Sequence, residues 1–272
     1  MQRTVFFISD GTGITAETLG RSLLTQFENI SFDYDTIPNV NTLEKAKAAV
    51  QRIEAVYQKE GVKPIIFATV IDPTIGQLLK TEHGMLMDFF QAFINPLENE
   101  LGCHSSHTVG RSHGVHDYTN YMQRMQAVNF ALGNDDGAST KEYAHADVIL
   151  IGVSRCGKTP TCLYLALQFG VFAANYPFVD DDLQVLHLPK ALRPYKSKLF
   201  GLTIDAERLS QIREERRPES AYAHKARCEF ETKRMETLLH SEKIPYLDTT
   251  HRSIEEIASE IMSRTGLKRR LF

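Results

Sequence analysis

The strongest chemical signal in the chain is the eight-residue run Gly152, Val153, Ser154, Arg155, Cys156, Gly157, Lys158 and Thr159. It fits the phosphate-binding pattern G-x-x-x-x-G-K-[ST] at every fixed position. Glycines let the backbone close around phosphate oxygens. Successive N–H groups then point inward, and the start of the next helix adds partial positive charge. Lys158 supplies a mobile cation for the terminal phosphates, and Thr159 a hydroxyl suited to Mg²⁺. The pattern needs a strand before it and a helix after it. Residues 147–152 read as a buried strand. A helix follows to about Phe169 and stops at Gly170. Pro160 falls in the first helical turn, where a missing N–H costs no internal bond.

A phosphate loop specifies a ligand, not a reaction. The expected partner is an acid at the end of a nearby strand, to hold Mg²⁺. Asp205 ends the apolar run 199–204 and fills that role, or it simply caps the helix that begins at Ala206. Arg213, Arg216 and Arg217 form either a lid over transferring phosphates or a solvated helix face. The run Asp10–Gly13 suits a second anion site or a tight turn. Arg111 and His113 pair a cation with a base that titrates near neutrality, the alternative being ordinary surface residues. Asp180, Asp181 and Asp182 offer a metal site or an exposed acidic turn. The HRD and DFG signatures of eukaryotic-type protein kinases are absent.

The elements that position these residues alternate between strand and helix patterns. Val5–Ile8 is a strand, and the helix after it is expected to be capped by Thr15 and to bury Leu19, Leu23 and Phe27. A second helix opens at residues 41–44 and carries the stripe Ala46, Val50, Ile53 and Tyr57. Residues 64–71 form a strand, followed by Asp72 as a cap with Pro73 at the first helical position. Residues 118–132 look helical, and 134–137 read as a turn. Strands recur at 171–178, 199–205 and 244–248. The last helix begins with a capping box at Ser253 and Glu256. The pattern predicts two α/β layers: a Rossmann-like N-terminal domain over 1–105 and a P-loop kinase-like domain over 146–272 with a mainly parallel sheet. Residues 106–145 connect them.

Composition narrows the function classes. A net charge of −3 and a pI of about 6.4 argue against a nucleic-acid-binding role. The four cysteines, at 103, 156, 162 and 228, form no C-x-x-C pair and fit reduced thiols in a cytoplasm. The apolar run 5–8 is too short for a signal sequence or a membrane span. Three functions survive: a kinase for a protein, a kinase for a small metabolite, and a nucleotide sensor without catalysis.

Several blocks together sharpen the choice. They are residues 8–12, Arg111 to Gly114, residues 152–161, residues 174–177, and 199–205 with 212–217. In combination they resemble the pyruvate, phosphate/water dikinase regulatory protein family, whose bacterial members regulate phosphoenolpyruvate synthase. The likeness runs along essentially the whole chain. It implies a bifunctional enzyme that uses ADP to phosphorylate a threonine of the synthase and so inactivates it. It also implies removal of that phosphate by phosphorolysis, with inorganic phosphate as acceptor and pyrophosphate as product. A pyruvate, phosphate dikinase is the alternative target. The resemblance makes residues 152–159 the ADP site, with Lys158 as phosphate clamp, Thr159 and Asp205 on Mg²⁺, His113 or Asp205 as proton acceptor, and Arg155 as an added cation. It leaves a homodimer open.

Overall fold

The computed structural model describes residues 2–106, 108, 118–137 and 140–270. The chain divides into two compact units, Met1–Gly114 and Val115–Phe272. The first unit contains β1 (Gln2–Ser9), α1 (Ile14–Leu24), β2 (Ser31–Ile37), α2 (Leu43–Glu60), β3 (Ile65–Thr69), α3 (Pro73–Leu78), β4 (Met85–Asp88) and α4 (Phe89–Leu101). Its four strands pair in the order β2-β1-β3-β4, all parallel. Side chains alternate across a strand, and β1 divides its residues accordingly. Phe6 and Ile8 pack with Ala46, Ala49 and Ile53 of α2 and Ile75 of α3. Val5 and Phe7 pack with Ala16 and Leu24 of α1. Helices therefore cover both faces, as a parallel sheet requires.

α1 departs from the expected pattern in two ways. Its N-cap is Gly13, at φ 84°, rather than Thr15, and no side chain caps it. Its buried positions are Ala16, Gly20 and Leu24, while Leu19, Leu23 and Phe27 are exposed. The reason is steric. A Cβ on Gly20 would lie 2.6 Å from Phe7 Cε1 and 2.7 Å from Phe67 Cδ2. The helix approaches the sheet through Ala16 and Gly20, so Leu19 and Leu23 face away while Leu24 closes the contact. Asp72 caps α3 as expected, its Oδ1 accepting from Thr74 N at 2.7 Å, with Pro73 in the first turn.

The second unit contains α5 (Tyr118–Gly133), β5 (Val148–Val153), α6 (Lys158–Phe169), β6 (Ala173–Phe178), α7 (Asp180–Val185), β7 (Leu199–Thr203), α8 (Ala206–Arg216), α9 (Lys225–Ser241), β8 (Tyr246–Asp248) and α10 (Ile254–Thr265). Its sheet order is β6-β5-β7-β8, again all parallel. β5 is buried at every position and runs up the middle. Ala127, Ala131 and Tyr143, from the stretch expected to be a connection, belong to this unit's core. After β5 the chain crosses to β6 on one side, and later to β7 on the other. The carboxyl end of β5 is thus a point where the strand order reverses, the usual place for a ligand crevice in such sheets. The loop 152–159 sits there.

Candidate functional site

The loop leaves β5 at Gly152 and enters α6 at Lys158. Only glycine fits at 152, because a Cβ there would stand 2.3 Å from the Leu202 carbonyl oxygen of β7 and 2.8 Å from Cys156 Sγ. Arg155 and Gly157 adopt left-handed backbone, at φ 77° and 91°. For Arg155 this conformation costs about 1–2 kcal/mol and is imposed by the loop around it. Gly157 caps α6 without a side-chain bond, so the first amides of that helix stay available. Lys158 is buried, at 4 % exposure, and its Nζ donates to the carbonyls of Gly152 (3.0 Å) and Val153 (2.8 Å). The ammonium is therefore held inside the loop it would use to grip a phosphate.

Thr159 shows what lies beside the loop. Its hydroxyl donates to Asp135 Oδ1 at 2.7 Å. Asn175 of β6, fully buried, donates to the same oxygen through Nδ2 and accepts from Asp136 N at 3.0 Å. Asn175 also donates its own N–H to Asn134 O, and its carbonyl accepts from the Tyr143 hydroxyl at 2.9 Å. A buried polar knot thus presses the turn Asp135–Gly137 against the start of α6. In the sequence, residues 134–137 read only as a turn, and nothing local marks Asn175 for chemistry. The available signal was an acid pair in that turn and a buried amide on the strand next to β5.

Further contacts brace the loop. Arg213 is fully buried and donates to Ser154 O (3.1 Å), Tyr222 O (3.1 Å) and Glu231 Oε2 (2.6 Å). The Tyr222 ring lies 4.0 Å below its guanidinium, and the Tyr222 hydroxyl donates to Ser154 Oγ at 2.8 Å. Thr249, after β8, donates to Cys156 O at 3.2 Å and Thr203 O at 2.9 Å. Arg213 is accordingly a brace for the loop rather than a lid. Arg216 and Arg217 are exposed and line a different hollow, together with Ser154, Arg155 and Tyr222.

The hollow over the loop itself measures about 260 Å³ and is lined by Asp136, Ser154, Arg155, Gly157, Lys158, Thr159, Pro160 and Ile212. Val153 and Cys156 of the loop are buried. Burial pushes the Cys156 thiol up, against the pull of nearby Lys158, so it stays protonated and is a packing group. Asp205 sits just past β7, the other neighbour of β5, and its Oδ1 caps α8 by accepting from Glu207 N (2.9 Å) and Arg208 N (3.0 Å). Of the two acids, Asp135 is the one bonded to Thr159. Among the described residues, no three His, Cys, Asp or Glu side chains gather as a metal site, Asp180–Asp182 included. Mg²⁺ here would use hard oxygen donors, the Thr159 hydroxyl and a carboxylate, completed by nucleotide oxygens, and these residues fit it. Asp10 is buried and its Oδ2 accepts from Ile71 N at 2.8 Å, a bond that ties β1 to the end of β3. Burial raises its pKa. His113 and Arg111 lie outside the described residues.

Among the described residues, no helix is long and apolar enough to cross a membrane. Comparison with known proteins gives a consistent picture. A protein from Ectopseudomonas mendocina is 54% identical over 271 residues, covering 100% of both chains. One from Stutzerimonas stutzeri is 56% identical over 271 residues, again covering 100% of both. One from Pseudomonas savastanoi pv. phaseolicola is 55% identical over 270 residues, covering 99% of each. All three are named, provisionally, as phosphoenolpyruvate synthase regulatory proteins. Among solved structures, a Legionella pneumophila periplasmic sugar-binding protein aligns over 98% of this chain and 97% of its own, at 14% identity and a TM-score of 0.19, which carries no argument about fold. A sequence model described as kinase/pyrophosphorylase matches residues 5–262. This chain, with its loop 152–159 at the strand-order reversal of a parallel sheet, belongs to the kinase/pyrophosphorylase family.

Proposed function

We propose that this protein controls phosphoenolpyruvate synthase from the cytoplasm by moving a phosphoryl group on and off one of its threonines. The observation that carries the reading is the complete phosphate loop, with Lys158 buried at its centre and Thr159 bonded to Asp135. The names of the relatives support the synthase as target.

In the forward direction ADP occupies the loop, its β-phosphate against Lys158 and the amides at the start of α6. The threonine oxygen attacks the β-phosphorus, and the bond from that phosphorus to the bridging oxygen breaks. AMP leaves, and the hydroxyl proton passes to Asp205 or His113. In the other direction hydrogen phosphate occupies the place of AMP. Its oxygen attacks the phosphorus of phosphothreonine, the bond to the threonine oxygen breaks, and that oxygen takes up the proton. The products are pyrophosphate and threonine. Thr159 and Asp205 would hold Mg²⁺, with Asp135 orienting the Thr159 hydroxyl. When bound, the metal draws charge from the phosphate oxygens. Positioning and charge neutralisation dominate such transfers, so one cradle serves both directions.

Mass spectrometry of the synthase after incubation with the protein, ADP and Mg²⁺ tests this. A gain of one phosphate on a threonine is expected, reversed by phosphate with release of pyrophosphate. In Lys158→Ala both activities should fall together, because both transition states load charge on the same oxygens. An unmodified synthase, or phosphorolysis surviving intact in that variant, refutes the reading.

A further inference from the structure

The hollow beside the phosphate loop has an unusual lining. It measures about 230 Å³, and its walls are Ser154, Arg155, Arg216, Arg217 and Tyr222. Three arginines thus line one small space with no carboxylate in its lining. Four other arginines of this unit are ion-paired: Arg213 with Glu231, Arg227 with Asp180 and Glu231, Arg264 with Glu260, and Arg270 with Asp147. Arg155, Arg216 and Arg217 make no ion pair or side-chain hydrogen bond with any described residue. The acids on the same helix do not relieve them. Glu214 accepts from Glu219 N at 2.7 Å, and neither Glu214 nor Glu215 lines the hollow.

Like charges gathered without a counter-charge repel one another, a cost that an incoming anion removes. Arginine matches the oxygens of a phosphate through paired N–H donors. The position adds to the argument. Ser154 and Arg155 line both this hollow and the one over the phosphate loop, so an anion in each would be neighbours. Arg155 is aimed by a left-handed backbone that the loop enforces. Ser154, the wall between the two, is fixed by Arg213 through its carbonyl and by Tyr222 through its hydroxyl. The space, at about 230 Å³, accommodates a phosphate on a short side chain.

We propose that Arg155, Arg216 and Arg217 form a second anion subsite, which takes the phosphate monoester of the protein substrate, a phosphothreonine, beside the phosphate held in the loop. The inference deepens the proposed function and rests on it for the identity of the phosphoprotein. The binding chemistry, a dianionic phosphomonoester against three guanidinium groups, stands on the hollow itself. With hydrogen phosphate in the loop and phosphothreonine among the arginines, the two reacting phosphates of the removal step lie side by side, their mutual repulsion offset by Lys158 and the three arginines.

The test uses full-length protein and the variant Arg216→Ala/Arg217→Ala, titrated by calorimetry with N-acetyl-phosphothreonine amide and, separately, with ADP and Mg²⁺. Both arginines are exposed and unpaired among the described residues, and retained ADP binding verifies folding. Affinity for the phosphothreonine compound should drop about tenfold per arginine removed, from the strength of a hydrogen bond to a charged group. ADP affinity should change by less than about threefold, since the loop is untouched. In phosphorolysis the KM for phosphorylated synthase should rise while that for inorganic phosphate holds. Failure of the wild type to bind the phosphothreonine compound, or unchanged affinity in the variant, overturns the subsite. An equal loss of ADP affinity also overturns it and assigns the hollow to the nucleotide. If the arginines govern phosphothreonine binding but the synthase is never modified, the target reading fails and the subsite stands.

Discussion

Replacing Arg213 by Met separates a brace from a lid. The wild-type guanidinium is fully buried, and Glu231, its partner at 2.6 Å, is 6 % exposed. Removing one member of such a buried pair costs about 3–5 kcal/mol, because the other is left charged in a poor solvent. Two features place the expectation at the lower end. Glu231 keeps a second bond, from Arg227 Nε at 2.8 Å, and Arg213 Nε has no partner to lose. The variant also frees the carbonyls of Ser154 and Tyr222 and takes the cation off the Tyr222 ring. The expected loss is therefore about 3 kcal/mol. For a unit of roughly 150 residues this lowers the melting temperature by about 6–12 °C. Differential scanning calorimetry reads the shift. The double variant Arg213→Met/Glu231→Leu should recover most of it, since the stranded carboxylate is gone. A single variant that melts within about 2 °C of wild type yet loses turnover refutes the reasoning and returns Arg213 to a lid.

Two further outcomes follow from the site. Asp135→Asn should weaken Mg²⁺-dependent ADP binding about tenfold, the share of a charge-assisted bond, and leave binding in EDTA unchanged. Asp205→Asn, which keeps an oxygen for the α8 cap, should weaken it at least as much, and calorimetry giving a clearly smaller loss would move the metal function to Asp135. Alkylation at neutral pH should modify exposed Cys103 before Cys156 and Cys162, whose thiols burial holds above the usual range, and mass spectrometry of tryptic peptides reads the order. Because the raised Cys156 value favours the neutral folded thiol, that stabilisation is complete below the ordinary thiol pKa of about 9 and is lost as pH climbs through the folded value. Prompt modification of Cys156 in the native protein at pH 7 would contradict this.

Much of this protein can be read from its sequence because the relevant physics is local. Two glycines, the first of which must meet a neighbouring backbone, a lysine directly after the second and a proline confined to a first turn mark the loop 152–159 within a few positions. Ser253 and Glu256 likewise announce α10, where both capping bonds form. Alternating apolar runs and helix caps are enough to yield parallel α/β layers. What the sequence left undecided depends on groups far apart in the chain. Leu19, Leu23 and Phe27 have the spacing of a core face, yet the sheet beneath α1 accepts only Ala16, Gly20 and Leu24, because Phe7 and Phe67 fill the space. Three nearby arginines look alike in sequence, but folding buries Arg213 on Glu231 and leaves Arg216 and Arg217 free beside Arg155. The carboxylate against Thr159 comes from Asp135, 24 positions upstream, and Asn175, 40 positions beyond that acid, holds it there. No local rule couples those residues. Their meeting is set by the strand order β6-β5-β7-β8, which brings β6 and the turn after α5 to the mouth of the loop.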